Sequence, residues 1–248
     1  MQILYTIYFF ILGTILGSFY NVVGYRLPRG ESLIKPRSHC TNCNHELTPL
    51  ELIPILSFLF QGGKCKKCKQ KISWFYTIFE LLTGILFAYS YYTFGFSINL
   101  LIALFFISIS IIIIISDYQT LIIPDEIIIF FSIVFLILNY FRGNFTYYLI
   151  SGVCAFLTMY IIKKIGDFCF KKESMGGGDI KLMFVFGLVL GYMKAILTIF
   201  LGSIVGLPIS LVILKSKNTH IVPFGPFLCI GALIILFFGL DIELLMNI

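Results

Sequence analysis

Apolar runs long enough to cross a bilayer alternate along this chain with short polar connections. A spanning helix needs about 20 apolar residues. Such runs fall at residues 3–23, 75–94, 98–116, 124–141, 145–162, 180–192, 195–214 and 223–245. The pattern predicts eight membrane helices. The sixth is short, so its ends must be accommodated locally or the bilayer thinned around it. One large polar block, 26–73, interrupts the rhythm. The expected organisation is therefore a first helix over 1–25, a polar loop over 26–73 and a seven-helix region over 74–248. There is no internal repeat of 20–50 residues.

Composition supports the all-α, polytopic reading. The chain is 59% hydrophobic and only 12% charged, with a mean hydropathy of +0.99. Soluble globular domains carry about 25% charged residues, so this sequence cannot cover itself with a polar surface. A net charge of +6 would hint at nucleic acid in a soluble protein. Here it reports orientation. One set of connections carries Arg26, Arg29, Lys35, Arg37, Lys64, Lys66, Lys67, Lys69, Lys71, Lys163, Lys164, Lys171, Lys172, Lys215 and Lys217. The other carries Arg142 and Lys194. The positive-inside rule puts the first set in the cytoplasm and both termini outside. The first apolar run has no basic residues before it and several after it, which favours a retained anchor over a cleaved signal peptide.

Within this frame the carboxylates stand out, because charged groups in membrane spans are costly and serve function by default. Asp117 ends the third span, which runs inward. Asp179 opens the sixth, which runs outward. The two lie 62 residues apart but at one depth, the cytoplasmic boundary. Paired carboxylates that share a proton can hydrolyse a peptide without a metal. Gly176, Gly177 and Gly178 precede Asp179 and have no Cβ to obstruct an extended peptide backbone. Taken singly, Asp179 is readable as a helix N-cap and Asp117 as a boundary residue tied to Thr120. Asp125 follows Pro124, which fits a helix start, and it is assigned with Lys181 to a supporting role.

Four cysteines occupy the polar block. Cys40 and Cys43, then Cys65 and Cys68, form two Cys-x-x-Cys pairs separated by twenty-one residues. That spacing suits tetrahedral zinc, and a reducing cytoplasm argues against disulfides. With sulfur filling all four positions, the zinc is expected to be structural. His39 and His45 are read as surface residues, Cys154 and Cys229 as small packing residues within spans.

Five blocks, "GSFYNVVGYRLPRGESLIKPRSHCTNC", "LTPLELIPILSFLFQGGKCKKCKQKIS", "DYQTLIIPDEI", "MGGGDIKL" and "VPFGPFL", together resemble the bacterial type IV prepilin peptidases, which occur also as competence and type II secretion leader peptidases. The resemblance runs in order along nearly the whole chain. It implies a bifunctional enzyme of the bacterial cytoplasmic membrane. Such enzymes cut the basic leader of prepilins and pseudopilins after a glycine, at the cytoplasmic face. Many then methylate the new amino terminus with S-adenosylmethionine. The family's aspartyl pair maps onto Asp117 and Asp179, and its Gly-x-Gly-Asp signature onto Gly176, Gly178 and Asp179. Tyr20 stands where leucine is commoner, and Glu51 where aspartate is common.

The residues themselves show no Gly-x-Gly-x-x-Gly fingerprint for a methyl-donor domain. If methylation occurs, the 26–73 region is its expected place, with Asn21, Arg26 and Glu80 as candidates. The expected partners are prepilins and the bilayer, with no nucleic acid. Two other readings are a Gly-x-Gly-Asp protease acting on other membrane helices, and a zinc-bearing membrane scaffold without catalysis. A transporter is disfavoured, since its acidic residues should lie near the midplane.

Overall fold

The computed structural model describes residues 1–216 and 222–239, and for 212–216 the backbone alone. Among these residues the protein is helical, with no strand beyond two isolated bridges. The helices are α1 (Gln2–Arg26), α2 (Leu56–Phe60), α3 (Trp74–Phe94), α4 (Ile98–Thr120), α5 (Asp125–Arg142), α6 (Phe145–Phe170), α7 (Gly177–Leu190), α8 (Tyr192–Ser216) and α9 (Gly225–Phe238). Each of the eight apolar runs thus contains a helix, and the short α2 lies within the polar block. Four described segments are both long and apolar enough to cross a membrane: Gln2–Arg29, Ile98–Thr120, Phe145–Phe170 and Tyr192–Leu211. The chain is therefore a multi-pass membrane protein, of which these four crossings meet both criteria. The far end of the eighth run, 240–245, and Lys217 lie outside the described residues.

The helices fall into two compact units, the second beginning at Leu101. In the first, α1 and α3 run antiparallel and pack closely. The "GTILG" stretch of α1 supplies the means. A Cβ on Gly13 would stand 2.8 Å from the Cα of Gly84, and one on Gly17 would stand 3.0 Å from the Cα of Glu80. Small residues four apart let two backbones approach where lipid supplies no hydrophobic drive between helices. Phe9 of α1 stacks on Tyr91 of α3 at 5.0 Å between ring centroids. The loop between the helices carries the four cysteines.

In the second unit α4 is the core. Phe106, Ile107, Ile109, Ile111, Ile113 and Ile115 are all fully buried, which marks a helix apolar on every side. Phe106 meets Phe135 of α5 and Phe186 of α7 edge-on. α6 and α7 touch backbone to backbone where Gly187 lies against Gly152. At 14 residues, α7 is only about 21 Å long, short of the hydrocarbon thickness. In its last turn the Leu188 carbonyl accepts from the buried Asn139 amide of α5 at 2.8 Å. That carbonyl belongs to the group a helix end leaves without intrahelical partners.

Candidate active site and metal centre

α4 continues past residue 116, so Asp117 lies within its final turns rather than beyond its end. Below it, the hydroxyl of Thr120 bonds the Ser116 carbonyl at 2.8 Å and leaves the Asp117 side chain untouched. α7 begins at Gly177 with Gly176 as its N-cap. Asp179 is therefore the third helical residue, not the cap that its position after the glycines suggested. Both carboxylates are buried, at 6% and 7% exposed. Ile123 packs against both Gly178, beside Asp179, and Gly225, beside Asp117 Oδ2, and the Asp117 charge reaches Asp179. The end of α4 and the start of α7 thus bring together two acids far apart in the chain.

A third element completes the surroundings. The first backbone N–H of α9, from Gly225, donates to Asp117 Oδ2 at 3.0 Å. Cys229, one turn on, is fully buried and feels both carboxylates. Ile123, in the turn between α4 and α5, packs against both flanking glycines. A Cβ on Gly178 would stand 2.7 Å from Ile123 Cβ, and one on Gly225 would stand 3.2 Å from Ile123 Cδ1. The three glycines before Asp179 are not uniformly open, as their sequence suggested. Gly177 faces free space, a Cβ on Gly176 would stand 3.7 Å from Asp179 Oδ2, and Gly178 makes room for Ile123.

Asp125 does not join the pair. It stands in the first turn of α5, and Lys181 Nζ donates to both its oxygens at 2.7 Å. Both side chains are substantially exposed, so the pair tethers α5 to α7 at the surface. Beside Gly177 a groove of about 330 Å³ opens between α6 and α7, lined by Tyr160, Lys163, Lys164, Asp167 and Lys181 among others.

The cysteine loop folds as two copies of one turn. Cys40 N–H donates to His45 O and Asn44 N–H to Cys40 O. Twenty-five residues later Cys65 N–H donates to Gln70 O and Lys69 N–H to Cys65 O. Asn44 and Lys69 hold the same left-handed conformation, with φ of 54° and 60°. His39 bridges Glu46, and Lys64 bridges Lys71 at equivalent places. The turns face each other and bring all four sulfurs within 4.8 Å of one another. Cys40 and Cys68 lie 3.7 Å apart, Cys43 and Cys65 3.9 Å. The edge of a tetrahedron with Zn–S bonds of about 2.3 Å is about 3.8 Å, whereas a disulfide requires about 2.05 Å. The residues present fit a zinc ion. Backbone N–H groups of Asn42 and Cys43 lower the Cys40 thiol. The Gln70 N–H and the Asn42 amide bring Cys68 down to about 6. At Cys43 the His45 N–H pulls downward, but burial and the three neighbouring thiols push the group up to about 11.

Asn21, Arg26 and Glu80 lie in the first unit. Asn21 Nδ2 donates to the carbonyls of Gly17 and Tyr76, at 3.2 and 3.1 Å, which fixes the amide's orientation and leaves Oδ1 buried without a donor. Glu80, one turn beyond Tyr76, accepts from Ile55 N–H at 2.8 Å. Ile55 needs that support, since its φ is 61°, a strained value for a β-branched residue. Arg26 Nη1 donates to the carbonyls of Ser32 and Pro36 and pins the start of the loop. Glu51 closes a capping box with Thr48.

Comparison with known proteins follows the same two-part division. Residues 11–94 match the Bacterial Peptidase A24 N-terminal domain, and residues 104–211 match the Type IV leader peptidase family. The chain is 39% identical over 236 residues to the prepilin leader peptidase/N-methyltransferase of Bacillus subtilis (strain 168), covering 93% of each chain. It is 32% identical over 259 residues to the protein of that name from Pseudomonas aeruginosa, covering 92% of this chain and 89% of the relative. For the one from Neisseria gonorrhoeae the identity is 31% over 256 residues, covering 91% and 87%. No solved structure matches. Since these relatives align along nearly their whole length, the chain belongs to the type IV leader peptidase family.

Proposed function

We propose that this protein removes the leader peptide of prepilins and pseudopilins, after a glycine, at the cytoplasmic face of the bacterial membrane. Asp117 and Asp179 act as an aspartyl pair, and a second activity methylates the new amino terminus. One observation carries the peptidase reading: two buried carboxylates, 62 residues apart in sequence, are gathered where α4 ends and α7 begins, with Ile123 packed against both Gly178, beside Asp179, and Gly225, beside Asp117 Oδ2.

Two neighbouring buried carboxylates do not both ionise cheaply, so the pair shares one proton. The ionised carboxylate takes a proton from water, and the water oxygen attacks the scissile carbonyl carbon. The protonated carboxyl gives its proton to the carbonyl oxygen. In the second step the C–N bond breaks. The nitrogen takes the proton drawn from water, and one hydroxyl returns its proton to the pair. A new acid and a new amine leave, and the pair regains its starting state. The open side of Gly177 leaves room for an extended segment beside Asp179.

Asp117→Asn and Asp179→Asn should each abolish cleavage of a purified prepilin while membrane insertion and melting temperature stay unchanged. An active Asp179→Asn enzyme ends the aspartyl reading. Mass spectrometry of the product reports the cut position and any added methyl group together.

For methyl transfer, S-adenosylmethionine would supply an electrophilic methyl group to the free amine. Asn21 Oδ1, a buried acceptor without a donor, and the Glu80 carboxylate fit the amine and hydroxyl donors of that molecule. Glu80→Gln should weaken its binding in equilibrium dialysis while prepilin cleavage persists. Unchanged binding moves the methyl-donor site elsewhere. The four cysteines would hold zinc in a structural role and keep the loop folded.

A further inference from the structure

The sequence Phe224-Gly225-Pro226-Phe227 opens α9, and the order of these residues has a consequence for the carboxylate pair. A helix leaves its first N–H groups without intrahelical partners. Pro226 has no N–H. The Phe227 N–H already bonds the Phe224 carbonyl at 3.1 Å. Within the first turn of the helix itself the donor left is Gly225 N–H, and it is spent on Asp117 Oδ2 at 3.0 Å. The residue must also lack a side chain, because a Cβ there would stand 2.8 Å from the same oxygen. Asp179 receives no comparable donor among the described residues.

We infer that Gly225 is a positioning residue. Its N–H holds one oxygen of Asp117 and leaves the other free for water, so that Asp117 is the member of the pair built to carry the negative charge. The proton shared by the pair then rests on Asp179, which has the role of donor to the substrate carbonyl. Among the described residues, the titratable groups facing Asp117 are Asp179 from α7 and the Cys229 thiol from α9. Neither is a cation, so among the described residues the Gly225 N–H is the contact that favours charge there. This assignment rests on the aspartyl reading.

The test replaces Gly225 by glycolic acid in the full-length enzyme, through cell-free translation into vesicles. The backbone ester keeps the shape and deletes the N–H. A hydrogen bond to a charged group is lost, so kcat for a prepilin should fall about tenfold or more, with KM unchanged. Gly225→Ala keeps the N–H but pushes the carboxylate aside, and should also lose kcat rather than KM. Gly231→Ala is the packing control. Its Cβ would stand 3.0 Å from backbone atoms of Gly202 and Thr198, on the same helix but away from the pair. It should lower the melting temperature and leave kcat within about twofold, well inside the tenfold effect expected of the lost donor. An ester enzyme that cuts at the wild-type rate, beside an inactive Asp117→Asn enzyme, overturns the role of Gly225 and leaves the aspartyl pair standing. Equal losses in the ester and Gly231→Ala enzymes, with KM raised in both, reduce the contact to packing and overturn it too. Cleavage by Asp117→Asn itself overturns both readings.

Discussion

Replacing Cys65 with serine removes the most buried corner of the four-sulfur cage, a residue only 3% exposed. The two turns that carry the cage share no helix or sheet, and their sulfurs sit at the edge length of a zinc tetrahedron. Outer-shell partners of bound metals are worth about 10–100-fold in affinity, so loss of a ligand should weaken zinc beyond that range. The pH dependence follows from the thiols. At pH 7 Cys68, at about 6, is already about nine-tenths thiolate, whereas Cys43, at about 11, is wholly protonated. Zinc must therefore displace one whole proton from Cys43. Lowering the pH from 7 to 5 should weaken binding about a hundredfold through Cys43 and about tenfold more through Cys68, since protons compete with the metal. The sign is fixed: affinity falls as pH falls. Competition against a chromophoric chelator at the two pH values measures this, and metal analysis should find one zinc per wild-type chain. Limited proteolysis should cut the 26–73 region in the Cys65→Ser protein and spare it in the wild type. A Cys65→Ser protein with wild-type zinc affinity, or an affinity that does not change with pH, refutes the cage.

Asp125→Asn breaks only an exposed ion pair with Lys181, so it should cost less than about 1 kcal/mol of stability and leave a cleaving enzyme, as a prepilin assay would report. Gly178→Val forces a branched side chain against Ile123, where even a Cβ would stand 2.7 Å from the Ile123 Cβ. Overpacking of this kind costs about 1–3 kcal/mol, and a shift of about 1 Å in the neighbouring Asp179 should lower kcat on the order of a hundredfold. Cysteine labelling in intact cells should modify Asn144→Cys from outside and leave substitutions in 26–73 unreacted. Labelling of the loop from outside would reverse the orientation of every connection.

The apolar runs were legible because burial in lipid or in a packed core leaves a continuous signal in residue type. The ends of the helices were less so. Three glycines and an aspartate read as a flexible stretch and a cap, yet α7 starts at Gly177. The glycines serve separate purposes: Gly178 admits Ile123, while Gly177 stays open. The cysteine spacing announced a tetrahedral site, but the twofold likeness of its turns depends on left-handed backbone at Asn44 and Lys69, and lysine carries no expectation of that conformation. Glu51 was visible only as a departure from aspartate. Its role was in reach, because Thr48-Pro49-Leu50-Glu51 has the spacing of a capping box and forms one, with Thr48 N–H donating to Glu51 Oε2 at 2.9 Å.

The contact on Asp117 was out of reach for a deeper reason. A backbone N–H leaves no mark in sequence, so "VPFGPFL" could be matched as a pattern without yielding a role. What sequence does encode is the means of delivering that N–H. An all-round apolar α4 can only be a central helix, and it carries its terminal Asp117 into surroundings where a carboxylate is costly. Such a group needs donors, and in a helical membrane protein uncommitted backbone donors occur mainly at helix starts. Two helix starts meet the end of α4: α7 brings the second acid, and α9 brings an N–H that its proline leaves without competition. Burial of the acid and the supply of its partner are therefore one requirement, met by placing helix ends together at the proposed cleavage site.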